Sequence, residues 1–242
     1  MPDSLTIKTV TGRGIEKYLH DLASLRIEVF REFPYLYDGS LEYEKNYLET
    51  YVKSDQSIAV LVFDGNTVVG TSTGLPMVDE TEEFQRPFRE KEYDVGSIFY
   101  CGESILKKEY RGRGLYRSMF EEREQHATET GDFSTICFCA VQRPVDHPLR
   151  PNNYQSLDPV WEKFGYRKQP ELTTTYRWKD IDEESETDKT MIFWVKELGL
   201  LIYRQVRKAQ SINFVSFTPC FFKTHLKIIL LDIAYLQMAD FF

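Results

Sequence analysis

The chain has 242 residues, 42% of them hydrophobic and 28% charged, enough for one large domain with a real core or a domain with an appendage. A formal net charge of −8 at pH 7 argues against a general nucleic-acid or anionic-membrane binder and suits a cationic partner better. The opening Met1-Pro-Asp-Ser-Leu-Thr-Ile7 lacks the basic-then-apolar profile of a secretory signal, and no uncharged apolar run reaches spanning length. A cytoplasmic protein without a membrane span is expected. Cys101, Cys137, Cys139 and Cys220 match no zinc spacing, so buried free thiols and no metal are expected, with Cys137 and Cys139 on one face of a strand.

In chain order, Leu5 to Val10 alternates apolar and polar side chains as a strand does. Leu19, Leu22, Leu25, Val29 and Phe30 recur at helical spacing and predict an amphipathic helix over 15–30. A second helix over 41–51 carries Tyr43, Tyr47 and Tyr51 at every fourth position, a stripe that reads as core packing before ligand contact. Ser57 to Phe63 and Thr67 to Leu75 are strands joined by the hairpin signal Asp64-Gly-Asn66. Residues 79–95 hold seven acidic side chains and read as a loop or short surface helix.

Ile98 to Leu106 predicts one buried strand, Leu115 to Glu129 a helix and Phe133 to Val141 another buried strand. Four prolines between Gln142 and Pro159 exclude regular structure over most of that stretch. A short helix over 159–164, strands over 172–178 and 190–195 and an acidic loop between them complete a mixed α/β order. From Gly199 to Phe242 the chain is more apolar, which predicts two parts: residues 1–198 as the domain and 199–242 as an extension, packed on the domain, on a partner, or poorly ordered.

Between the strand and the helix lies Arg111-Gly-Arg-Gly114. Two glycines there free the backbone N–H groups to converge on an anion, and the helix adds its unpaired first-turn N–H groups and positive dipole end. The alternative is a tight turn with solvated arginines. Neither a Walker loop nor a dinucleotide Gly-x-Gly-x-x-Gly fits, since Arg117 stands at the last position.

With Trp161-Glu-Lys-Phe-Gly-Tyr166 following in order, Tyr110-Arg-Gly-Arg-Gly-Leu115 resembles the GNAT superfamily of acyl-CoA N-acyltransferases. Its signature is Gln/Arg-x-x-Gly-x-Gly/Ala, which Arg111 and Gly114 match while Tyr116 replaces the final small residue. Asp146-His-Pro-Leu-Arg-Pro-Asn-Asn-Tyr154 with Leu157, Asp158 and Trp161 looks like a bacterial branch of that superfamily. The resemblance implies a mainly antiparallel central sheet flanked by helices and acetyl-CoA as donor. It assigns the pyrophosphate to backbone N–H groups of Arg111, Gly112, Arg113, Gly114, Leu115 and Tyr116. It assigns the pantetheine arm to the strand edge at about Ser104 to Lys107, which includes Ile105, Leu106 and Lys107. Asn152 and Asn153 either contact cofactor amides or only shape their loop.

An alkyl amine must lose a proton before it attacks a thioester, and Glu103 is the only acidic residue inside the predicted strand, beside Gly102, which can mark a bulge. Glu103 is therefore the candidate base, or else the partner of a buried cation. The superfamily often protonates the leaving thiolate from a Tyr where this chain has Trp161, so Tyr154 is the substitute candidate. His147 beside Asp146 is a further candidate base, or a loop anchor. In the superfamily the segment linking the first two helices commonly shapes the acceptor side. The resemblance thus implies that Phe33, Tyr35, Tyr37 and Asp38 suit a small-molecule amine on an apolar body, with lid packing the alternative for the aromatics. The expected activity is acetyl transfer to that amine by direct attack. The alternative is a non-catalytic acyl-CoA-binding or protein-interaction module, and self-association or a partner through the tail is left open.

Overall fold

The computed structural model describes residues 5–131 and 133–199. The apolar extension beyond Gly199, Cys220 within it, lies outside the described residues. None of the described helices is long and apolar enough to cross a membrane.

β1 (Leu5–Thr11) leads through a 3-10 turn, Gly12–Tyr18, into α1 (Leu19–Phe30), so the helix expected from residue 15 begins one turn later. α2 (Leu41–Lys53) starts where the Ser40 hydroxyl accepts the Tyr43 N–H at 3.3 Å, a side-chain cap. β2 (Ile58–Asp64) and β3 (Thr67–Pro76) form the expected hairpin. The segment after β3 contains the short surface helix that was one of the expected readings, α3 (Glu82–Glu90), whose charged side chains are exposed while Phe84 and Phe88, one turn apart, are buried against the sheet. β4 (Ile98–Tyr100) and β5 (Ser104–Leu106) follow, then α4 (Leu115–Thr130), β6 (Thr135–Val141), α5 (Asp158–Lys163), β7 (Arg167–Trp178) and β8 (Thr187–Glu197).

The sheet runs β1-β2-β3-β4-β6-β8-β7, with β5 on β3. Its pairs are antiparallel except β4 with β6, the two strands that the α4 crossover joins. Cys137 and Cys139 lie in one apolar cluster with Phe84, Tyr100 and Phe193, while Phe138 between them packs with Phe120 of α4 and Trp161 of α5. Strand alternation thus puts α3 on one face of the sheet and α4 with α5 on the other. Cys101, Cys137 and Cys139 are free and buried, as expected.

The single strand expected over 98–106 is broken. β4 pairs Tyr100 with Leu75, and β5 pairs Ser104 with Ser72, so the three residues Cys101–Glu103 face only Thr73 and Gly74. That is a bulge. Gly102 permits it, since a Cβ there would run into the Tyr51 hydroxyl and come within 2.9 Å of Thr73 Oγ1. On the other side β6 follows β4 as far as the Cys101 N–H to Cys137 carbonyl bond of 2.8 Å, and among the described residues β5 pairs only with β3. The strands part at the bulge, and the parting is the floor of the site.

Candidate functional site

A cleft of 1310 Å³ runs from the start of α4, along the open edge of β5, to the bulge. At its mouth Gly112 and Gly114 have φ of +78° and +80°, and no atom lies within 4 Å of where a Cβ would stand on either. They serve the left-handed backbone rather than close packing, and the space above them is open. Among the described residues the N–H groups of Gly112, Gly114, Leu115 and Tyr116 have no acceptor within the protein. These four groups at the positive end of a 16-residue helix can cradle a phosphate.

Arg111, expected in the cradle, lines the same cleft but has partners within the protein. Its N–H is bonded to the Lys108 carbonyl at 3.2 Å, and its guanidinium grips Glu32 through two nitrogens at 2.8 and 3.1 Å and the Leu106 carbonyl at 3.0 Å. It ties the chain after α1 to the end of β5. Arg113 turns to the Glu109 carbonyl at 3.2 Å and the Tyr110 ring. Ile105 and Leu106 pair with β3 by one edge and turn the other toward the cleft, and Lys107 is held by Glu28 at 2.8 Å.

Two departures from the superfamily pattern meet in one hydrogen bond. The indole N–H of Trp161 donates to the Tyr116 hydroxyl at 3.0 Å, and both side chains line the cleft. Tyr116 leans on Phe120 and Phe164, away from the glycine turn, so its size does not obstruct the cradle. Arg123, 1% exposed, lies deeper along α4. One of its nitrogens binds the Ser104 and Ser72 hydroxyls at 2.6 and 3.0 Å, while its Nε and Nη2 have no hydrogen-bond partner among the described residues. Its charge sits over the Phe120 ring at 3.9 Å.

At the bulge Glu103, 6% exposed, lines the cleft with its carboxylate bound to Arg26 of α1, which also binds Glu44 of α2. Burial pushes the Glu103 carboxyl up, against the pull of Arg26. Burial opposes the charge of Arg26 as well, but the two carboxylates hold it ionised. Two acids on one cation leave a negative excess, and Glu103 Oε1 meets no hydrogen-bond donor at bonding geometry among the described residues, although the Thr73 hydroxyl, itself without a partner, lies near enough to favour the carboxylate. An open carboxylate oxygen in a net-negative buried cluster suits a cation.

Behind the bulge lies a pocket of 80 Å³ walled by Tyr37, Tyr43, Tyr47, Phe84, Tyr176 and Trp178, sharing Phe30, Tyr35, Gly102 and Cys139 with the large cleft. The tyrosine stripe of α2 is divided: Tyr51 is fully buried, whereas Tyr43 and Tyr47 line this pocket.

Of the other residues singled out in the sequence, Phe33, Tyr35, Asn153 and Tyr154 line the cleft. Phe33 packs edge-on to Tyr154 at 4.7 Å, and Arg150 covers the Tyr154 ring at 4.8 Å. Tyr37 faces the small pocket. Asp38 lines neither, being held by Lys179 at 2.9 Å and Arg31 at 3.1 Å, cations that lower its carboxyl in that order. His147 also stands off the cleft lining: its Nδ1 accepts the Leu149 N–H at 3.2 Å, and its ring leans on Phe33, which is the loop-anchor alternative.

Sequence reasoning missed Arg26, Glu44, Glu80 and Arg123. Arg26 carried a signal, a charge one turn after Leu22 inside an apolar stripe. Glu80 carried none, in a run of exposed-looking acids.

Neither a family model nor a curated protein matches the sequence. Solved structures do match in fold. An N-acetyltransferase from Staphylococcus aureus Mu50 is similar at 11% identity and a TM-score of 0.52, over 80% of this chain and 98% of that one. Arabidopsis thaliana NAA60 in complex with acetyl-CoA is similar at 12% identity and 0.51, over 80% and 98%. NAA60 in complex with a bisubstrate analogue is similar at 10% identity and 0.51, over 80% and 100%. The chain has the fold of the GNAT superfamily of acyl-CoA N-acyltransferases.

Proposed function

We propose that this chain transfers an acetyl group from acetyl-CoA to the amine of a small-molecule acceptor by direct attack. The observation that carries the reading is the pairing, across one cleft, of an open backbone cradle at Gly112–Tyr116 with an open carboxylate oxygen at Glu103. A pyrophosphate on the N–H groups at the mouth lets the pantetheine arm follow the unpaired edge of β5 to the bulge. The thioester then lies where β5 and β6 part, with Glu103 on the acceptor side.

Glu103 Oε1 accepts a hydrogen bond from the incoming ammonium and orients its nitrogen toward the thioester carbon. Loss of a proton frees the lone pair, the C–N bond forms, and the C–S bond breaks with its electrons on sulfur. Two hydroxyls on the donor side are candidates to protonate that sulfur. Tyr154 is one, its ring set between Phe33 and Arg150. Tyr116 is the other: the Trp161 indole occupies one lone pair of its oxygen and leaves its proton to be donated elsewhere. The unpartnered nitrogens of Arg123 add positive charge beneath the site. A thiol relay is disfavoured, since burial pushes Cys101 and Cys139 up to about 12.

Calorimetry with acetyl-CoA tests the donor, and no binding at millimolar concentration would sink the reading. Release of CoA with a panel of 2-phenylethylamine, tryptamine and cadaverine tests the transfer. Glu103→Gln is expected to lower kcat by about 100-fold while leaving acetyl-CoA binding intact. Donor binding without turnover would instead favour the non-catalytic module, the reading that the loss of tyrosine at Trp161 motivates. Tyr116→Phe and Tyr154→Phe, compared at the same pH, identify the thiolate's proton donor as the variant with the larger fall in kcat.

A further inference from the structure

The small pocket is backed by a carboxylate that the steps above leave unused. Glu80 follows the 3-10 turn Met77–Asp79 and is 5% exposed. Its Oε2 accepts the Thr81 N–H at 3.0 Å. Its Oε1 accepts from the Tyr51 hydroxyl at 3.3 Å and the Tyr47 hydroxyl at 3.4 Å, and these hydroxyls stand 3.1 Å apart. Tyr47 lines the small pocket together with Gly102, and the Tyr51 hydroxyl sits against Gly102 where no side chain would fit. A connected set of hydroxyls thus reaches from the bulge, where Glu103 would receive the acceptor, to Glu80.

We propose that Glu80 is the final acceptor of the proton that the acceptor amine loses, reached through the hydroxyls of Tyr47 and Tyr51. This rests on the acyl-transfer reading and assigns the proton's route within it. Glu103 and Glu44 are both bound to Arg26, whereas Glu80 forms no ion pair among the described residues. The titratable groups facing Glu80 are Arg26 of α1, Tyr47 and Tyr51 of α2, Tyr100 of β4, Cys139 of β6 and Tyr176 of β7. The one cation among them is already balanced by two carboxylates. Burial in this company raises the Glu80 carboxyl to about 7, against the pull of the Thr81 N–H and the two hydroxyls. A group poised there can take a proton at neutral pH and give it up again.

The ammonium gives one proton to the Tyr47 oxygen as that hydroxyl passes its own to Glu80, directly or through Tyr51. The freed lone pair forms the C–N bond, and the C–S bond breaks with its electron pair on sulfur. The sulfur takes a proton from the donor-side hydroxyl, which is restored by the second nitrogen proton through solvent, and Glu80 releases its proton to water. Ammonium and acyl-CoA have become amide, CoA thiol and one proton.

The test compares wild type, Glu80→Gln, Glu80→Asp and the double variant Tyr47→Phe/Tyr51→Phe. Release of CoA from acetyl-CoA with 2-phenylethylamine is followed from pH 5.5 to 9. Wild type is expected to show a limb in kcat/KM near pH 7. Glu80→Gln and the double variant are each expected to lose about 100-fold at pH 7 and to lose that limb, while Glu80→Asp keeps it at reduced amplitude. An unchanged pH profile in Glu80→Gln overturns the relay alone. If that variant fails to fold, the double variant decides, because it removes two hydroxyls and keeps the rings. No CoA release by wild type with any amine of the panel overturns the acyl-transfer reading, and the relay with it.

Discussion

Glu80 also leaves a thermodynamic mark that needs no substrate. An unfolded Glu has the ordinary value of 4.5, and burial raises the folded one to about 7. Between those values the folded chain binds more protons than the unfolded chain, so stability falls as pH rises. The contribution is present in full below the unfolded pKa and gone once pH passes the folded one. A shift of this size corresponds to an upper figure of about 3 kcal/mol, a large share of the stability of a single domain. Glu80→Gln is expected to abolish that slope, so denaturant melts of wild type and variant should converge at pH 5 and separate at pH 7.5, with the variant the more stable. Equal pH dependence in the two would mean that Glu80 is ionised throughout. Glu103 differs in kind, because Arg26 shares its site and opposes the burial.

At the scale of elements, the donor cradle depends on backbone conformation more than on space. A methyl at Gly114 would meet nothing within 4 Å, yet φ is +80° there, where an L side chain costs about 1–2 kcal/mol. Gly114→Ala is expected to leave the fold intact and to weaken acetyl-CoA binding about 10-fold as the turn relaxes toward negative φ, read by calorimetry. What was legible here follows from local rules. The glycine turn, the crossover helix and the hairpin are written in adjacent residues, and Gly102 flagged the bulge. Less legible were features whose cause lies across the fold. Phe84 and Phe88 bury one face of a helix whose acids are exposed, and β7 begins at Arg167 because β8 offers it a partner there. Arg26, Glu44 and Glu103 are far apart in sequence, and only the packing of α1, α2 and the bulge makes them one cluster. His147 and Asp38 pointed the other way: their chemistry suited a site, and their neighbours hold them elsewhere.

At the scale of the whole molecule, charge is sorted against the net balance. The chain carries −8, yet eight basic side chains and three acidic ones line the large cleft. Lys108, Arg117, Arg150, Lys163 and Lys168 stand among its outer walls, while the bulge at its inner end is the net-negative cluster on Arg26. On the proposed reading, one surface would draw a polyanionic donor to the mouth and the inner acids a cationic acceptor. The two attractions should respond differently to salt. The mouth charges are largely exposed and lie within reach of screening ions, with a Debye length of about 10 Å at 0.1 M, whereas the inner cluster is buried. Raising salt from 0.05 to 0.5 M is expected to increase KM for acetyl-CoA several-fold and to change kcat little. Lys108→Gln/Lys163→Gln should reproduce part of that increase at low salt and flatten the remaining salt dependence. A KM for acetyl-CoA indifferent to salt, or a variant with the wild-type salt slope, would mean that the basic walls serve the fold alone and that the backbone cradle holds the donor unaided.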